Sequence, residues 1–194
     1  MAQRHNHYEA AFEAFLRERG VPYVAVDEAK RATFAGKSVK NLDFIVSPVG
    51  ARRRWLVDVK GRKFASGAGR QCWKNWTTRD DLESMARWQA LFGATFTPLL
   101  VFAYEVVGDL SPLEGDQLFV FRQRLYAMVA IQLDHYASAA QTISPKWNTV
   151  AMPVARFREM ARPLTEFLGY GMESSSAAES APASTPTSSA IWGL

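Results

Sequence analysis

Cysteine and histidine are scarce in this sequence. Among its 194 residues there is one cysteine, Cys72, and there are three histidines, His5, His7 and His135. A single cysteine excludes an internal disulfide framework and suits a reducing compartment. None of the histidines has metal-ligand spacing to Cys72, so the sequence does not predict a zinc site.

Long apolar runs are also missing. The best candidate, Thr97 to Val107, is shorter than the ~18 residues that a membrane helix needs and includes Tyr104 and Glu105. The N-terminus is polar and then amphipathic, without the apolar core of a signal peptide. Because nearly half of the residues are hydrophobic, at 48%, we expect a packed globular protein, and the absence of targeting segments favours the cytoplasm.

Acidic residues are rare in one part of the chain. Between Ala29 and Arg79 there are 13 lysines and arginines but only two acids, Asp43 and Asp58. The rest of the chain has 10 basic and 17 acidic residues. Such segregation favours a face that binds a polyanion, since phosphate contacts dominate sequence-independent affinity for nucleic acids. The alternative is an ordinary solvated basic surface.

The first half of the sequence predicts helices and strands in the order α-β-β-β-α-β. Hydrophobic periodicity and turn residues predict a helix from Asn6 to Arg19 and strands at Tyr23–Val26, Leu42–Val46 and Trp55–Val59. The segment from Ala29 to Lys40 is a loop or irregular hairpin, and a Gly-rich basic loop follows Lys60-Gly61 through Gly69. A capping-box-like pair, Thr78 and Asp81, begins a helix from Arg79 to Phe92, and a buried strand follows at Pro98–Val106.

The second half predicts additional strands and a helix. Strands are expected at Gln117–Arg122, Leu125–Gln132 and Asn148–Met152, with helices at Asp134–Gln141 and Val154–Leu168, the last kinked or split at Pro163. From Glu173 onward Ser, Ala, Pro and Thr dominate, which indicates disorder. We therefore expect an α/β (α+β) fold with a mixed sheet flanked by helices. Its parts are a core at residues 1–107, an αβ extension packed on that core at 108–170, and a disordered tail at 171–194.

The two acids of the basic half lie on predicted neighbouring strands. Asp43 begins one strand, and Asp58 and Lys60 lie near the end of the next. Residues two apart on a strand project from the same face, so Asp58 and Lys60 point together while Val57 and Val59 face the opposite layer. If the strands are adjacent and antiparallel, Asp43 converges on the same point. Carboxylates that hold Mg²⁺ or Mn²⁺ beside a lysine suit phosphodiester hydrolysis. The alternatives are an ordinary surface ion pair for Asp58 and Lys60 and a strand-entry role for Asp43.

A third carboxylate is available from the first helix. Glu9 lies beside Leu16 at the edge of the apolar stripe, from which it could reach across the core to the sheet. A solvated helix position is the alternative. Glu13, one turn later, lies further toward solvent and is the weaker candidate.

A helical glutamate, an aspartate and an Asp-x-Lys motif on two strands resemble the PD-(D/E)xK nuclease superfamily, and in particular the archaeal-type Holliday-junction resolvases. The spacing of Glu9 to Gly20 and the helix from Leu82 to Gly93, followed by Pro98, also resemble those enzymes. The resemblance covers residues 7 to 107. Leu42 stands where the motif name has proline, and the region from Gly108 to Leu168 has no counterpart in the minimal fold.

The resemblance implies a restriction-endonuclease-like αβββαβ core with additional C-terminal strands and helix. It also implies catalytic roles for Glu9, Asp43, Asp58 and Lys60, with the three acids binding Mg²⁺ or Mn²⁺. The expected activity is a metal-dependent, structure-specific endonuclease acting on DNA, and such enzymes are usually homodimers. The alternatives are a non-catalytic nucleic-acid-binding module of the same fold and an interaction or scaffold protein.

Further residues are candidates for supporting roles. Arg62, Lys63, Arg70 and Lys74 accompany Trp73 and Trp76, a mixture typical of surfaces that grip a nucleic-acid backbone or stack on bases. The tryptophans could equally belong to the core. Gln89 lies within the apolar stripe of its helix, where it either supports the active site or satisfies a local backbone group.

Overall fold

The computed structural model describes residues 6–26, 32–34, 37–65 and 72–169. Five α-helices lie in these ranges: α1 (His7–Glu18), α2 (Arg79–Phe92), α3 (Leu133–Ala139), α4 (Val154–Met160) and α5 (Leu164–Leu168). A 3-10 turn covers Gly115–Gln117. The strands in the same ranges are β1 (Tyr23–Ala25), β2 (Ala32–Phe34), β3 (Lys37–Val39), β4 (Phe44–Val46), β5 (Arg54–Ala65), β6 (Thr77–Thr78), β7 (Phe96–Val107), β8 (Leu118–Phe121), β9 (Arg124–Gln132), β10 (Gln141–Ser144), β11 (Thr149–Ala151) and β12 (Arg162–Pro163).

A mixed sheet forms the centre of the molecule. Its strands follow the order β1-β4-β5-β7-β9-β12, and β8 also pairs with β9. The pair β5–β7 is parallel over twelve residues of each strand, and the other pairs in the sheet are antiparallel. Strands β2 and β3 form a separate hairpin, which agrees with the expected irregular hairpin in that segment. The predicted fold class, a mixed sheet flanked by helices with added C-terminal elements, is confirmed.

The two faces of this sheet pack against different helices, because side chains alternate along every central strand. One face carries Trp55, Val57 and Val59 of β5 and packs against α1 and α5. The other face carries Leu56 and Phe64 of β5 and packs against α2, α3 and α4. We call these the α1 face and the α2 face. The alternation predicted for β5 is confirmed, since Val57 and Val59 lie on the α1 face.

Strand β5 is longer than the sequence indicated. The sequence predicts that it ends at Lys60-Gly61, but it continues to Ala65 because its parallel partner β7 supplies hydrogen bonds along its whole length. Residues 61–65 therefore form strand, not loop, and the rest of the predicted loop, residues 66–69, lies outside the described residues. Position 61 has room only for glycine, because the ring of Tyr8 from α1 packs directly against it. A Cβ at this position would lie 2.0 to 2.6 Å from three atoms of that ring.

The C-terminal elements extend the central sheet and add a small second one. Strand β9 pairs antiparallel with β7, and β12 pairs with β9. The predicted long helix is split at Pro163 into α4 and α5, with β12 between them. A three-stranded sheet, β10-β11-β6, joins this region to the segment before α2. The sequence analysis missed β10, and the predicted tail at 171–194 lies outside the described residues.

The described helices are consistent with the absence of long apolar runs. None of them, within the ranges given above, is long and apolar enough to cross a membrane.

Candidate active site

The register between β4 and β5 brings two buried carboxylates to the same place. Phe44 pairs with Val57, so Asp43, one residue earlier, lies beside Asp58, one residue later. Cross-strand neighbours in an antiparallel pair share a face, and Ile45 and Leu56 of the same ladder belong to the α2 face. Asp43 and Asp58 therefore both lie on the α2 face, with 5% and 8% of their surface exposed.

Asp43 is held rigidly against β5. Its backbone N–H donates to the carbonyl oxygen of Val57 at 2.9 Å. Its carboxylate Oδ2 accepts a hydrogen bond from the backbone N–H of Val59 at 2.5 Å. These two hydrogen bonds extend the pairing of β4 with β5 by one residue, and they fix the position of the Asp43 side chain relative to Asp58. The adjacent, antiparallel strands that the sequence analysis required are confirmed.

Lys60 lies on the same face as Asp58, two residues further along β5. Its Nζ is 3.0 Å from Oδ1 and 2.7 Å from Oδ2 of Asp58. Only the contact to Oδ1 is aligned as a hydrogen bond. Among the described residues, the buried Oδ2 of Asp58 has no hydrogen-bond partner. Oδ2 of Asp58 is therefore in an ion pair with the ammonium of Lys60 without a directed hydrogen bond.

A third acid, Asp81, completes the environment of Lys60. Its Oδ2 lies 3.1 Å from Lys60 Nζ and also accepts from Thr77 Oγ1 at 2.9 Å and from the backbone N–H of Thr78 at 3.2 Å. Its Oδ1 pairs with Lys40 Nζ at 2.8 Å. The predicted capping box is confirmed, since Thr78 Oγ1 accepts from the Asp81 N–H. The same aspartate that caps α2 therefore also anchors Lys60.

The charges in this cluster stabilise one another. Burial by itself lowers the pKa of Lys60, but the carboxylates of Asp58 and Asp81 outweigh it and hold that pKa above its usual value. Burial raises the pKa of Asp81, but the ammonium of Lys60 and the hydrogen bonds from Lys40 and Thr78 outweigh it and hold that pKa well below its usual range. Lys60 is therefore a permanent cation and Asp81 a permanent anion near neutral pH.

A small cleft opens onto this cluster. It is lined by Lys40, Asn41, Asp58, Asp81, Ser84 and Met85. Buried Asp58 therefore faces a cleft between β5 and the first turns of α2, and half-buried Lys60 lies beside it. Sequence reasoning missed Asp81 as a site residue because the capping box already accounted for it. Its partners Lys40 and Lys60 are distant from it in sequence, so their pairing with Asp81 gave no local signal.

Glu9 lies in a different layer from Lys60. It is buried in the first turn of α1, which packs on the α1 face, and its Oε1 accepts a hydrogen bond from Asn6 Nδ2 at 2.5 Å. The Tyr8 ring beside it covers Gly61, the residue after Lys60. Its burial excludes the solvated helix position that was the alternative for Glu9. Its assisting role stays a prediction.

The remaining candidates are spread around the site. Arg62 donates from Nη1 to the carbonyl oxygen of Gly61 at 2.7 Å and from Nη2 to that of Trp76, and its guanidinium lies 3.7 Å from the Trp76 ring centroid. Burial lowers the pKa of Arg62. Lys63 and Lys74 are exposed, and Arg70 lies outside the described residues.

The two tryptophans and Gln89 have distinct surroundings. Trp73 packs edge-on against Phe64 and Tyr104, so it belongs to the hydrophobic core. Trp76 is partly exposed. Gln89 is half-buried one turn after Met85 on α2, and its carbonyl oxygen accepts from the Gly93 N–H that ends the helix. Its supporting role stays a prediction.

The donor atoms fit a hard divalent cation. Asp43 and Asp58 offer carboxylate oxygens on one face, and Mg²⁺ is commonly held by one or two carboxylates with phosphate and water completing its octahedron. Within the described ranges, no three His, Cys, Asp or Glu side chains come together as a metal cluster. The fit therefore depends on the pair Asp43 and Asp58, whose carboxylates also contact the Val59 N–H and the Lys60 ammonium, respectively.

Comparisons with known proteins find a structural relative. The chain is similar to Hjc, a Holliday junction resolvase from the archaeal hyperthermophile Archaeoglobus fulgidus. The TM-score is 0.49 at 12% sequence identity, and the alignment covers 84% of this chain and 98% of that chain. No protein-family model matches the chain, and no curated protein matches it. At this identity the similarity concerns backbone architecture alone.

Proposed function

We propose that this chain is a Mg²⁺-dependent endonuclease that hydrolyses DNA phosphodiester bonds and that it is structure-specific, in the manner of a resolvase. The observation that carries this proposal is the convergence of Asp43, Asp58 and Lys60 on the α2 face. In a segment with 13 basic residues, these two carboxylates are the only acids. An acid pair kept in such surroundings suits a cation that neutralises phosphate.

In this proposal the two aspartates and the lysine have separate roles. Asp43 and Asp58 would hold the metal ion, which could be Mg²⁺ or Mn²⁺. A bound Mg²⁺ supplies polarisation of the phosphoryl group and acidification of the attacking water. Lys60, kept protonated by its two carboxylate neighbours, stabilises the charge that develops on the phosphate oxygens.

Asp81 acts as a positioning residue for Lys60. Its carboxylate is fixed by Thr77, Thr78 and Lys40, so it gives the ammonium group a second anchor that does not depend on Asp58. Lys60 therefore keeps a defined place when Asp58 has another ligand. Preorganised charge of this kind requires no rearrangement during the reaction.

The basic half of the chain supports DNA as the substrate. Its net excess of cations is large enough to bind a polyanion without sequence readout. Exposed Lys74 precedes α2, where it could contact a DNA phosphate, whereas exposed Lys63 lies on the α1 face of β5, opposite to Asp58 and Lys60. Arg70 belongs to the same basic run in the sequence.

Cleavage assays with active-site variants test the proposal. Purified protein is incubated with plasmid, flap and four-way-junction DNA in Mg²⁺, in Mn²⁺ and in a chelator. We expect metal-dependent cleavage by the wild type and at least about a hundredfold loss in Asp58→Asn and Lys60→Ala, since each removes a charge that acts in the transition state.

The matched control is Glu83→Gln, which neutralises an exposed acid on α2 that pairs only with Arg87 among the described contacts. It should cleave as the wild type does. Circular dichroism of each variant establishes that loss of activity is not loss of folding. Cleavage that persists unchanged in both Asp58→Asn and Lys60→Ala would overturn the assignment.

A further inference from the structure

The tip of the β10–β11 hairpin presents a tryptophan to solvent. Trp147 is 70% exposed, and Ile143 on the same hairpin is 57% exposed. Tryptophan is highly buried on average in folded proteins, so a ring this exposed is a candidate for contact with a ligand. We refer to residues 143–148 as the hairpin tip.

The hairpin tip is fixed in place by hydrogen bonds to the start of α2. The carbonyl oxygen of Asn148 accepts from the Arg79 N–H at 2.9 Å, and Asn148 Nδ2 donates to Asp80 Oδ1 at 3.1 Å. Arg79 Nη2 donates to Thr142 Oγ1 at 2.6 Å. Asn148 adopts a positive φ of 50°, which asparagine tolerates better than most residues, and its N–H donates to the Pro145 carbonyl at 3.2 Å. These hydrogen bonds hold the turn that carries Trp147 in a fixed position relative to α2.

The same hairpin is connected to the candidate active site. Strand β11 pairs with β6, with Thr149 opposite Thr78 and Val150 opposite Thr77. Thr77 and Thr78 are the residues that hold the carboxylate of Asp81, which in turn anchors Lys60. The hairpin tip and Lys60 therefore lie near the same end of α2.

Cations accompany the exposed ring. Lys146 Nζ lies 5.3 Å from the centroid of Trp147, and Arg79, the first residue of α2, is hydrogen-bonded to the adjacent Asn148. Of the acids nearby, Asp81 pairs with Lys60 and Lys40, and Asp80 accepts a hydrogen bond from the amide of Asn148. An aromatic face beside lysine and arginine fits a nucleobase with its phosphate, because bases stack on the ring while the cations meet the backbone.

We propose that Trp147 is a stacking platform for an unpaired base of the DNA whose backbone enters the Asp43–Asp58–Lys60 site. The inference rests on the proposed function for DNA as the ligand. It adds a reason for preferring DNA with unpaired bases, since a base within an intact duplex offers no free face to a side chain. A fixed aromatic ring at the same end of α2 as the cleavage site thus selects branched or open DNA over duplex.

Binding measurements with two DNAs of equal length test this inference. One is a complete duplex, and the other has the same sequence with a short bubble that contains 2-aminopurine. Fluorescence anisotropy in Ca²⁺ gives the dissociation constants without cleavage. We expect Trp147→Ala to weaken binding to the bubble by roughly tenfold and to change duplex binding by less than about twofold, because stacking on one base is lost. Trp147→Phe should keep most of the affinity for the bubble.

The control is Val49→Ala, which removes an 85% exposed apolar side chain from the turn between β4 and β5. It should leave both constants unchanged. Quenching of 2-aminopurine by the wild type but not by Trp147→Ala would report the stack directly. Equal affinities of wild type and Trp147→Ala for the bubble, or an equal loss on both DNAs, would overturn the proposal. So would a dimer in sedimentation velocity that Trp147→Ala dissociates, since a second copy would then occupy the ring.

The outcome also separates this inference from the proposed function. Trp147-dependent binding to the bubble by a wild type that cleaves no DNA would sustain the stacking site and contradict the nuclease. Metal-dependent cleavage together with Trp147-independent binding would sustain the nuclease and contradict the stacking site.

Discussion

Asp81 shows how one side chain can serve both a helix and a catalytic cluster. Its backbone N–H and its carboxylate complete the capping box of α2, while the carboxylate also pairs with Lys60 and Lys40. The capping role could be read from the spacing of Thr78 and Asp81. The pairing with Lys60 could not, because it depends on how closely α2 approaches β5 in the folded chain.

The low pKa of Asp81 gives a prediction for stability. Because its pKa is lower in the folded chain than in the unfolded one, the stabilisation is complete above pH ~4 and is lost as pH falls below that value. Asp81→Asn should therefore lower the free energy of unfolding by about 1 to 3 kcal/mol at pH 7, with a smaller difference from wild type at pH ~3. Urea denaturation at the two pH values measures both differences.

Glu83→Gln is the control for that experiment, since it removes an exposed acid from the same helix. It should change the free energy of unfolding little at either pH. If Asp81→Asn is as stable as the wild type at pH 7, the ion-pair cluster around Lys60 is not formed as described.

At the scale of elements, the alternation of side chains along a strand predicted which residues share a face, but it did not predict where the strand ends. Alternation along β5 placed Asp58 and Lys60 on one face and Val57 and Val59 on the other, as observed. The same sequence suggested a loop after Gly61, because a glycine followed by basic residues looks like a turn. The parallel pairing with β7 continues the strand, and that pairing is a long-range contact.

Strand β10 was missed for a related reason. Three of its four residues are exposed and the fourth is half-buried, so it has no apolar period to detect. It exists because β11 pairs with it, and β11 in turn is held by β6. The sequence therefore did not predict the β10–β11 hairpin or the position of Trp147 at its tip.

The contact between α1 and β5 predicts a sharp effect of a small substitution. A methyl group at Gly61 would lie 2.0 to 2.6 Å from three ring atoms of Tyr8, so Gly61→Ala requires the ring or the helix to move. We expect a loss of about 1 to 3 kcal/mol in the free energy of unfolding, measured by urea denaturation. Gly115→Ala is the matched control, since a Cβ there meets no atom within 4 Å.

The double variant Tyr8→Ala/Gly61→Ala distinguishes a clash from a general intolerance of alanine in β5. If the clash is the cause, adding Gly61→Ala to Tyr8→Ala should cost much less than it costs in the wild type. An equal cost in both backgrounds would mean that the Tyr8 ring does not lie against Gly61.

At the scale of the whole molecule, charge and fold point to the same surface. The basic half of the sequence contains β4, β5 and the approach to α2, and it is there that the buried acids converge. Composition alone indicated a partner of negative charge, and strand spacing indicated where its chemistry would occur. The order of strands around β5 and β7 and the place of β9 beside β7 come from tertiary pairing, which local patterns do not encode.

The most direct test of the central claim is calorimetric titration of Mn²⁺ into the wild type, Asp43→Asn, Asp58→Asn and Asp80→Asn. If Asp43 and Asp58 together hold one divalent cation, the wild type and Asp80→Asn bind Mn²⁺ at a saturable site. Asp43→Asn and Asp58→Asn should each lose at least about tenfold in affinity, since each removes one of two charged ligands. Undiminished Mn²⁺ binding in both of these variants, or no saturable binding by the wild type, would contradict the account.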